Sequence, residues 1–321
     1  MTQIRSLAQS APRRPGALGV HSLDHVNISV PDVNEARRFY ASFGLDLREE
    51  GNRLDIHTRG HPHRWASVIE GPRKKLQFIS FGAFEDDLPR FRERLEKLNI
   101  ERIDPPRGAE SNGIWLHNPD GVPIEIRVAE KSSPNEKSSH ESLSSPPGIA
   151  GAPSLSTKPF VQPRRLAHVL VFTRDVPAAI AFYSDVLGLR LSDRSGDMIG
   201  FMHAVHGSDH HVIAFVKADG PGLHHLSWDV PSINHIGLGA MQMADKGFTA
   251  GWGVGRHVLG SNYFHYVRDP WGSYCEYSSD VDYIPFDHDW KSGDHPPEDS
   301  FYVWGPTPPA DFAFNHELGA A

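Results

Sequence analysis

The chain matches itself at an offset of 143 residues (168 − 25). The stretches "LDHVNISVPDVNEARRFYASFGLDL" (23–47) and "LAHVLVFTRDVPAAIAFYSDVLGLRL" (166–191) each open on a β-rich run with a histidine at its third position, His25 and His168. Each continues through Asp-Val into a helical pattern carrying Phe39/Tyr40 or Phe182/Tyr183, and a glycine, Gly44 or Gly188, stops it. The match reaches the far end of each unit. There "HNPDGVPIEIRV" (117–128) and "VRDPWGSYCEYSS" (267–279) hold Pro and Gly two residues apart, then a strand with Glu six residues after the Pro. A pattern shared at start, middle and end predicts tandem duplicates, each a small α+β unit of strand, N-capped helix and further strands.

At 321 residues the chain is long enough for two such units, each with its own core. The segments then read as an N-terminal extension (1–18), a first unit (19–130), a linker (131–162), a second unit (163–281) and a tail (282–321). Ser, Pro and Gly dominate the linker, a composition that predicts mobility. The tail carries Phe286, Trp290, Phe301, Tyr302, Trp304, Phe312 and Phe314, too many aromatics for a disordered end, so it is expected to pack on the second unit or a neighbouring subunit and to roof a pocket. A formal net charge of −8 and no long Lys/Arg run argue against a nucleic-acid partner. The lone cysteine, Cys275, excludes an internal disulfide and fits a reducing cytoplasm. The first 18 residues lack the apolar core of a signal peptide, and no apolar run nears the roughly 20 residues that span a bilayer.

Histidine is the outlier, with 20 copies. The second unit offers His168 in "LAHVLVF", a histidine of "GLHHLSW" and Glu276 in "CEYSS", residues too far apart for a local metal motif. Strand periodicity brings them into question together. His168 shares a strand face with Leu170 and Phe172, an odd setting for an unpaired imidazole, and Glu276 sits in mid-strand, where a bare carboxylate is costly to bury. Neighbours on a strand point to opposite faces, so the pattern allows only one of His224 and His225 to join them. Two histidines and one carboxylate with open positions form the donor set suited to Fe(II) oxygen chemistry.

In "RDPWGS", Pro270 fits the second place of a type I turn and Gly272 the fourth, which gives a three-residue hairpin loop. Asp269 then faces Ser273, and Tyr266 falls opposite Glu276 on the same face, aiming a phenol at the site. The same register in the first unit sets Trp115 opposite Glu125, and the phenol is gone.

With these residues the sequence resembles a type I extradiol catechol dioxygenase of the vicinal oxygen chelate superfamily. The resemblance covers roughly 19–130 and 163–281 and is most specific in "GLHHLSW", "DHHVIAF", "GRHVLGSNYFHY" and "DPWGSYCEY". It implies an α+β fold of tandem βαβββ modules, paired in each of two domains as a curved, partly open barrel. It further implies His168, His225 and Glu276 as ligands to Fe(II), with Mn(II) as the other candidate metal. His225 would then have Leu223, Ser227 and Asp229 on its face, and His224 would point away. His211 matches the acid–base histidine, with His210 facing the other way, while His257 and Tyr266 match the residues that hydrogen-bond the diol. The partners implied are a small aromatic diol, O2 as co-substrate and further copies of the chain in a homo-oligomer.

The first unit keeps His25 and Glu125, with Gln77 expected in the slot of His225 and Trp115 in that of Tyr266, which fits a non-catalytic domain. Relatives that cleave carboxylated catechols carry Asn two residues after the first ligand and Arg five before the "GRH" histidine. Here those positions hold Leu170 and Trp252, so an uncharged alkyl- or aryl-substituted catechol or a trihydroxybenzene is expected, in a pocket shaped by Leu170, Phe201 and Trp252. Two other functions fit the same fold: a glyoxalase-like isomerase, for which Gln77 is the best support, and a metal-free binding protein of the drug-sequestering kind.

Overall fold

The structure is a computed structural model describing residues 11–141 and 144–318. The first unit runs β1 (Ser22–Val30), α1 (Val33–Ser42), β2 (Asp46–Glu50), β3 (Arg53–His57), β4 (Ala66–Glu70), β5 (Lys75–Ala83), α2 (Leu88–Lys97), β6 (Ile114–His117) and β7 (Pro123–Val128). The second runs β8 (Arg165–Thr173), α3 (Val176–Leu187), β9 (Arg190–Ser195), β10 (Ile199–His203), β11 (Ser208–Asp209), β12 (Ile213–Lys217), β13 (Gly222–Asp229), α4 (Ile233–Asp245), β14 (Gly251–His257), β15 (Tyr263–Arg268) and β16 (Tyr274–Ser279). The tail adds β17 (Tyr283–Ile284), β18 (Gly293–Asp294) and β19 (Tyr302–Trp304).

Seven strands form one sheet in the order β2-β3-β4-β1-β5-β7-β6, ten form a second in the order β18-β9-β10-β12-β8-β13-β16-β15-β14-β19, and β11 pairs with β17 in a short third. In the second sheet the strand–helix–strands pattern occurs twice, once from β8 and once from β13, and the halves join where β8 and β13 pair antiparallel. The sheets are open, and the tail supplies both outer strands of the larger one.

Local chemistry explains the repeated strand–helix step. Asp32 accepts hydrogen bonds from the Asn34 and Glu35 N–H groups (2.8 and 3.2 Å), and Asp175 accepts from the Ala178 N–H (2.9 Å), so each helix begins at a carboxylate cap. Gly188 ends α3 in the left-handed region at φ 70°. Each helix turns one apolar side inward: Ala36, Phe39 and Tyr40 from α1, and Val176, Ala179, Tyr183, Val186 and Leu187 from α3. The units share one core. Phe43 stacks on Tyr277 at 3.8 Å between centroids, and the Tyr277 hydroxyl donates to the Phe43 carbonyl.

The hairpin register holds in both units, with Tyr266 paired to Glu276 and Trp115 to Glu125. Part of the segment expected to be mobile is tethered. The Ser132 hydroxyl donates to the Leu23 carbonyl, Arg165 donates to Ser138, and the Glu141 N–H donates to the Pro231 carbonyl. No helix among the described residues is long and apolar enough to cross a membrane.

Equivalent turn glycines give a test of this account. Gly121 and Gly272 both have positive φ (80° and 95°), but a Cβ would meet open space at Gly121 and the His316 ring at Gly272. Gly121→Ala should cost about 1 kcal/mol from strain alone, and Gly272→Ala about 2–3 kcal/mol because His316 must also move. Urea midpoints measure the difference, and equal losses would contradict the turn geometry.

Candidate metal centre and active site

Three central strands of the larger sheet bring the sequence-predicted ligands together. Ser227 on β13 pairs with His168 on β8 and with Glu276 on β16, which aligns His168, His225 and Glu276 on one side. His168 Nε2 lies 3.2 Å from His225 Nε2 and 3.3 Å from Glu276 Oε2, and the third side of the triangle is 3.5 Å. Ligands on one face of an octahedral ion stand about 3 Å apart when metal–ligand bonds are about 2.1 Å. The triangle therefore fits the face of a single divalent cation. Among the described residues this is the one group of three His, Cys, Asp or Glu side chains close enough to share an ion.

Electrostatics points the same way. Glu276 is fully buried and its Oε2 has no hydrogen-bond partner. Burial works to raise its pKa, yet the contacts with His168 and the nearby His257 bring it below the ordinary carboxylate value. Burial drives the His225 and His211 imidazoles well below 6.5, so both are neutral at pH 7. An ionised carboxylate facing the neutral His225 imidazole, with the His168 ring beside both, is a donor set that can hold a cation.

The three ligand candidates open onto a cavity of about 350 Å³, within the usual range for small-molecule sites. His211 reaches it from the β11–β12 connection, its ring 3.9 Å from that of His168. His257 Nε2 is 2.9 Å from the Tyr266 hydroxyl, while its Nδ1 is 2.9 Å from the Phe301 carbonyl. That carbonyl can only accept, so Nδ1 carries the proton, Nε2 accepts, and Tyr266 donates to it. Burial and then the Glu276 charge push the Tyr266 phenol well above 10, so it keeps its proton.

Several placements depart from the sequence expectation. Strand β13 bulges at His224: Leu223 pairs with Val171 and His225 with Leu170. The extra residue reverses the alternation, so Leu223 turns into the core away from His225. His224 does not point away. It lines the cavity, its Nδ1 is 2.7 Å from His225 Nδ1, and its Nε2 donates to the Phe312 carbonyl at 2.9 Å. Strand β5 bulges at the matching place, with Leu76 against Ile28 and Phe78 against Asn27. Gln77 is thus the counterpart of His224, and its amide donates to Ser29; Phe78 holds the slot of His225, its ring 5.6 Å from His25 and 5.1 Å from Trp115. His25 instead meets Asp24 at 2.7 Å and Arg64 at 3.3 Å, and Glu125 accepts from Ser80 at 2.6 Å. An aromatic ring cannot bind a cation through a lone pair, so the first unit lacks the donor set.

Leu170 and Phe201 line the cavity, whereas Trp252 lies behind Tyr266, stacked at 5.6 Å, with its indole N–H donating to the Pro306 carbonyl. The sequence reading missed Asn262, whose amide donates to Glu276 Oε1 (3.2 Å) and Ser278 (3.0 Å). Its position before the β15 strand, on the face of the phenol, was the available signal. The tail roofs the cavity with Pro297, Ser300, Phe301, Phe312 and Ala313.

The model of the Glyoxalase/Bleomycin resistance protein/Dioxygenase superfamily matches residues 22–126 and 165–277. The chain is 46% identical to metapyrocatechase 2 of Cupriavidus necator over 97% of both chains. Its fold superposes on a Mn(II)-bound glyoxalase from Novosphingobium aromaticivorans with a TM-score of 0.72 at 24% identity, covering 91% of this chain and 93% of that one. A variant of homoprotocatechuate 2,3-dioxygenase from Brevibacterium fuscum also gives 0.72, at 18% identity, covering 97% of this chain and 84% of that one.

Buried histidines away from the ligand triangle set the acid limit of the fold. Burial lowers His21, His206 and His265 to about 4 and His203 to about 3, from 6.5. Such rings stay neutral when folded and take up protons when unfolded, so their stabilisation is full above about pH 6.5 and lost as pH falls toward 4. Urea midpoints should therefore drop steadily between pH 7 and 5. A flat profile over that window would contradict the burial of these rings.

Proposed function

This chain belongs to the Glyoxalase/Bleomycin resistance protein/Dioxygenase superfamily, and we propose that it is an Fe(II)-dependent extradiol dioxygenase for uncharged catechols. It opens the aromatic ring beside the diol, not between the hydroxyls, and both oxygen atoms of O2 enter the product. The observation that carries the reading is the buried triangle of His168 Nε2, His225 Nε2 and Glu276 Oε2 at the floor of an apolar cavity. The relative named metapyrocatechase 2, 46% identical over nearly the whole chain, supports the same activity.

His168, His225 and Glu276 would hold the ion. A divalent iron held by them would make the diol more acidic and would supply the chemistry that activates O2. The remaining work belongs to side chains. With its Nδ1 proton committed to the Phe301 carbonyl, His257 receives at Nε2 a proton that the diol releases, and Tyr266 then donates its free O–H to the resulting oxyanion. His211, its ring 3.9 Å from that of His168, is the acid–base group for the ring-opening step; its neutral imidazole can take a proton and return it. Asn262 orients Glu276 by bonding Oε1, leaving Oε2 to the ion. His224 holds His225 in the Nδ1–H form that frees Nε2. Leu170, Met198, Ile199, Phe201, Val216, Leu259 and the tail's Phe301 and Phe312 exclude water from the reaction.

The isomerase alternative leaned on Gln77, which is turned to Ser29 in the other unit. The walls support an uncharged substrate: no Lys or Arg is among the described residues lining the cavity. A substrate carboxylate would be buried there without a partner, at a cost of several kcal/mol.

Two outcomes test the reading. After anaerobic Fe(II) loading, exposure to air with 3-methylcatechol should give a yellow ring-opened product, with kcat/KM at least about 100-fold above that for 3,4-dihydroxyphenylacetate. Equal efficiency on the two would refute the uncharged-substrate assignment. His225→Ala should lose bound iron and about 1,000-fold or more in activity while the circular dichroism spectrum is retained; an active, iron-free variant would refute the metal site.

A further inference from the structure

Both His-His dipeptides of the second unit join their Nδ1 atoms, and in the pair 210–211 the mechanism above uses His211 but leaves His210 without a role. His210 Nδ1 lies 3.1 Å from His211 Nδ1, and His210 Nε2 lies 2.8 Å from Asp193 Oδ2. All three residues are buried. The other Asp193 oxygen, Oδ1, accepts from the Gly293 N–H at 2.7 Å and faces His295 Nε2 at 2.9 Å. The tail thus clamps this carboxylate from outside, and Trp290 packs on the His210 ring at 5.5 Å while its indole N–H donates to the Ser192 carbonyl.

Proton positions follow from the donors and acceptors. An ionised Asp193 only accepts, so His210 carries its proton on Nε2. Its Nδ1 is then a lone pair, and the 3.1 Å contact requires the proton to sit on His211 Nδ1. That leaves His211 Nε2, which makes no hydrogen bond among the described residues, as the acceptor of the ring that lines the cavity. A base facing a substrate hydroxyl needs this tautomer; the other one would present a donor.

We propose that Asp193 and His210 are positioning residues that fix the tautomer and orientation of His211 for proton transfer. The inference rests on the acid–base role assigned to His211 above. Replacing the carboxylate by an amide reverses the chain. An Asn NH2 donates to His210 Nε2, His210 Nδ1 becomes the donor, and His211 is left with its proton on Nε2, the same tautomer error that disables a catalytic histidine when its buried carboxylate partner is amidated.

The test is steady-state kinetics of the iron-loaded enzyme with 3-methylcatechol, comparing wild type, Asp193→Asn, Asp193→Glu and His211→Gln. Asp193→Asn should lower kcat about 100- to 10,000-fold with KM within about 3-fold of wild type. Its iron content and melting temperature should be unchanged, and its solvent deuterium isotope effect on kcat should be larger than that of wild type. Asp193→Glu disturbs the Gly293 contact equally but keeps an acceptor for His210, so it should recover most of kcat. If His211→Gln is impaired while Asp193→Asn has wild-type kcat, the brace is wrong and the role of His211 stands. If both are fully active, the role of His211 fails and the brace with it. Iron loss or unfolding shared by Asp193→Asn and Asp193→Glu would also overturn the proposal, because the carboxylate would then be a structural pin.

Discussion

Glu276 is completely buried on a central strand, and an ionised carboxylate taken out of water costs several kcal/mol unless charge compensates it. The hydrogen bond from Asn262 to Oε1 returns only about 1.5–3 kcal/mol and leaves Oε2 without a partner. No Lys or Arg is among the described residues lining the cavity. Two imidazole nitrogens facing that oxygen at 3.3 and 3.5 Å make a shared cation the arrangement that balances the site. The rest of the second unit is arranged around this point. Three adjacent strands supply one ligand candidate each, and the hairpin register puts a phenol across from the carboxylate.

The duplicated unit acts as an internal control. Both sheets bulge at the same place on the equivalent strand and keep a histidine and a glutamate at equivalent positions. In the first unit, Phe78 replaces the second imidazole and Trp115 the phenol. His25 turns to Asp24 and Arg64, and Ser80 donates to Glu125. Scaffold and chemistry are therefore separable. The same backbone carries a closed aromatic cluster in one half and an open cavity with a donor triangle in the other.

Much of this was legible in the residues. The 143-residue repeat predicted the tandem units, Pro270 and Gly272 set the hairpin register, and the odd placement of His168 and Glu276 on strands singled out two of the three side chains that the structure brings together. What escaped depended on backbone irregularity and long-range packing. Strict alternation assigns His224 to the opposite face, but a one-residue bulge puts it beside His225, and the same error moved Gln77 into a slot that Phe78 holds. The contacts of the Phe301, Phe312 and Gly293 backbone with His257, His224 and Asp193 span roughly 40 to 100 residues of sequence and leave no periodic trace. Trp252 was assigned to the wall because it holds the position where relatives for carboxylated catechols carry Arg; its indole instead supports Tyr266 from behind.

The most direct measurement is anomalous diffraction at the iron edge from crystals grown anaerobically with Fe(II). The account predicts one strong peak in each chain, within about 2.3 Å of His168 Nε2, His225 Nε2 and Glu276 Oε2 together. A fully loaded crystal with its iron bound elsewhere, or with those three side chains turned away from a common ion, would contradict it.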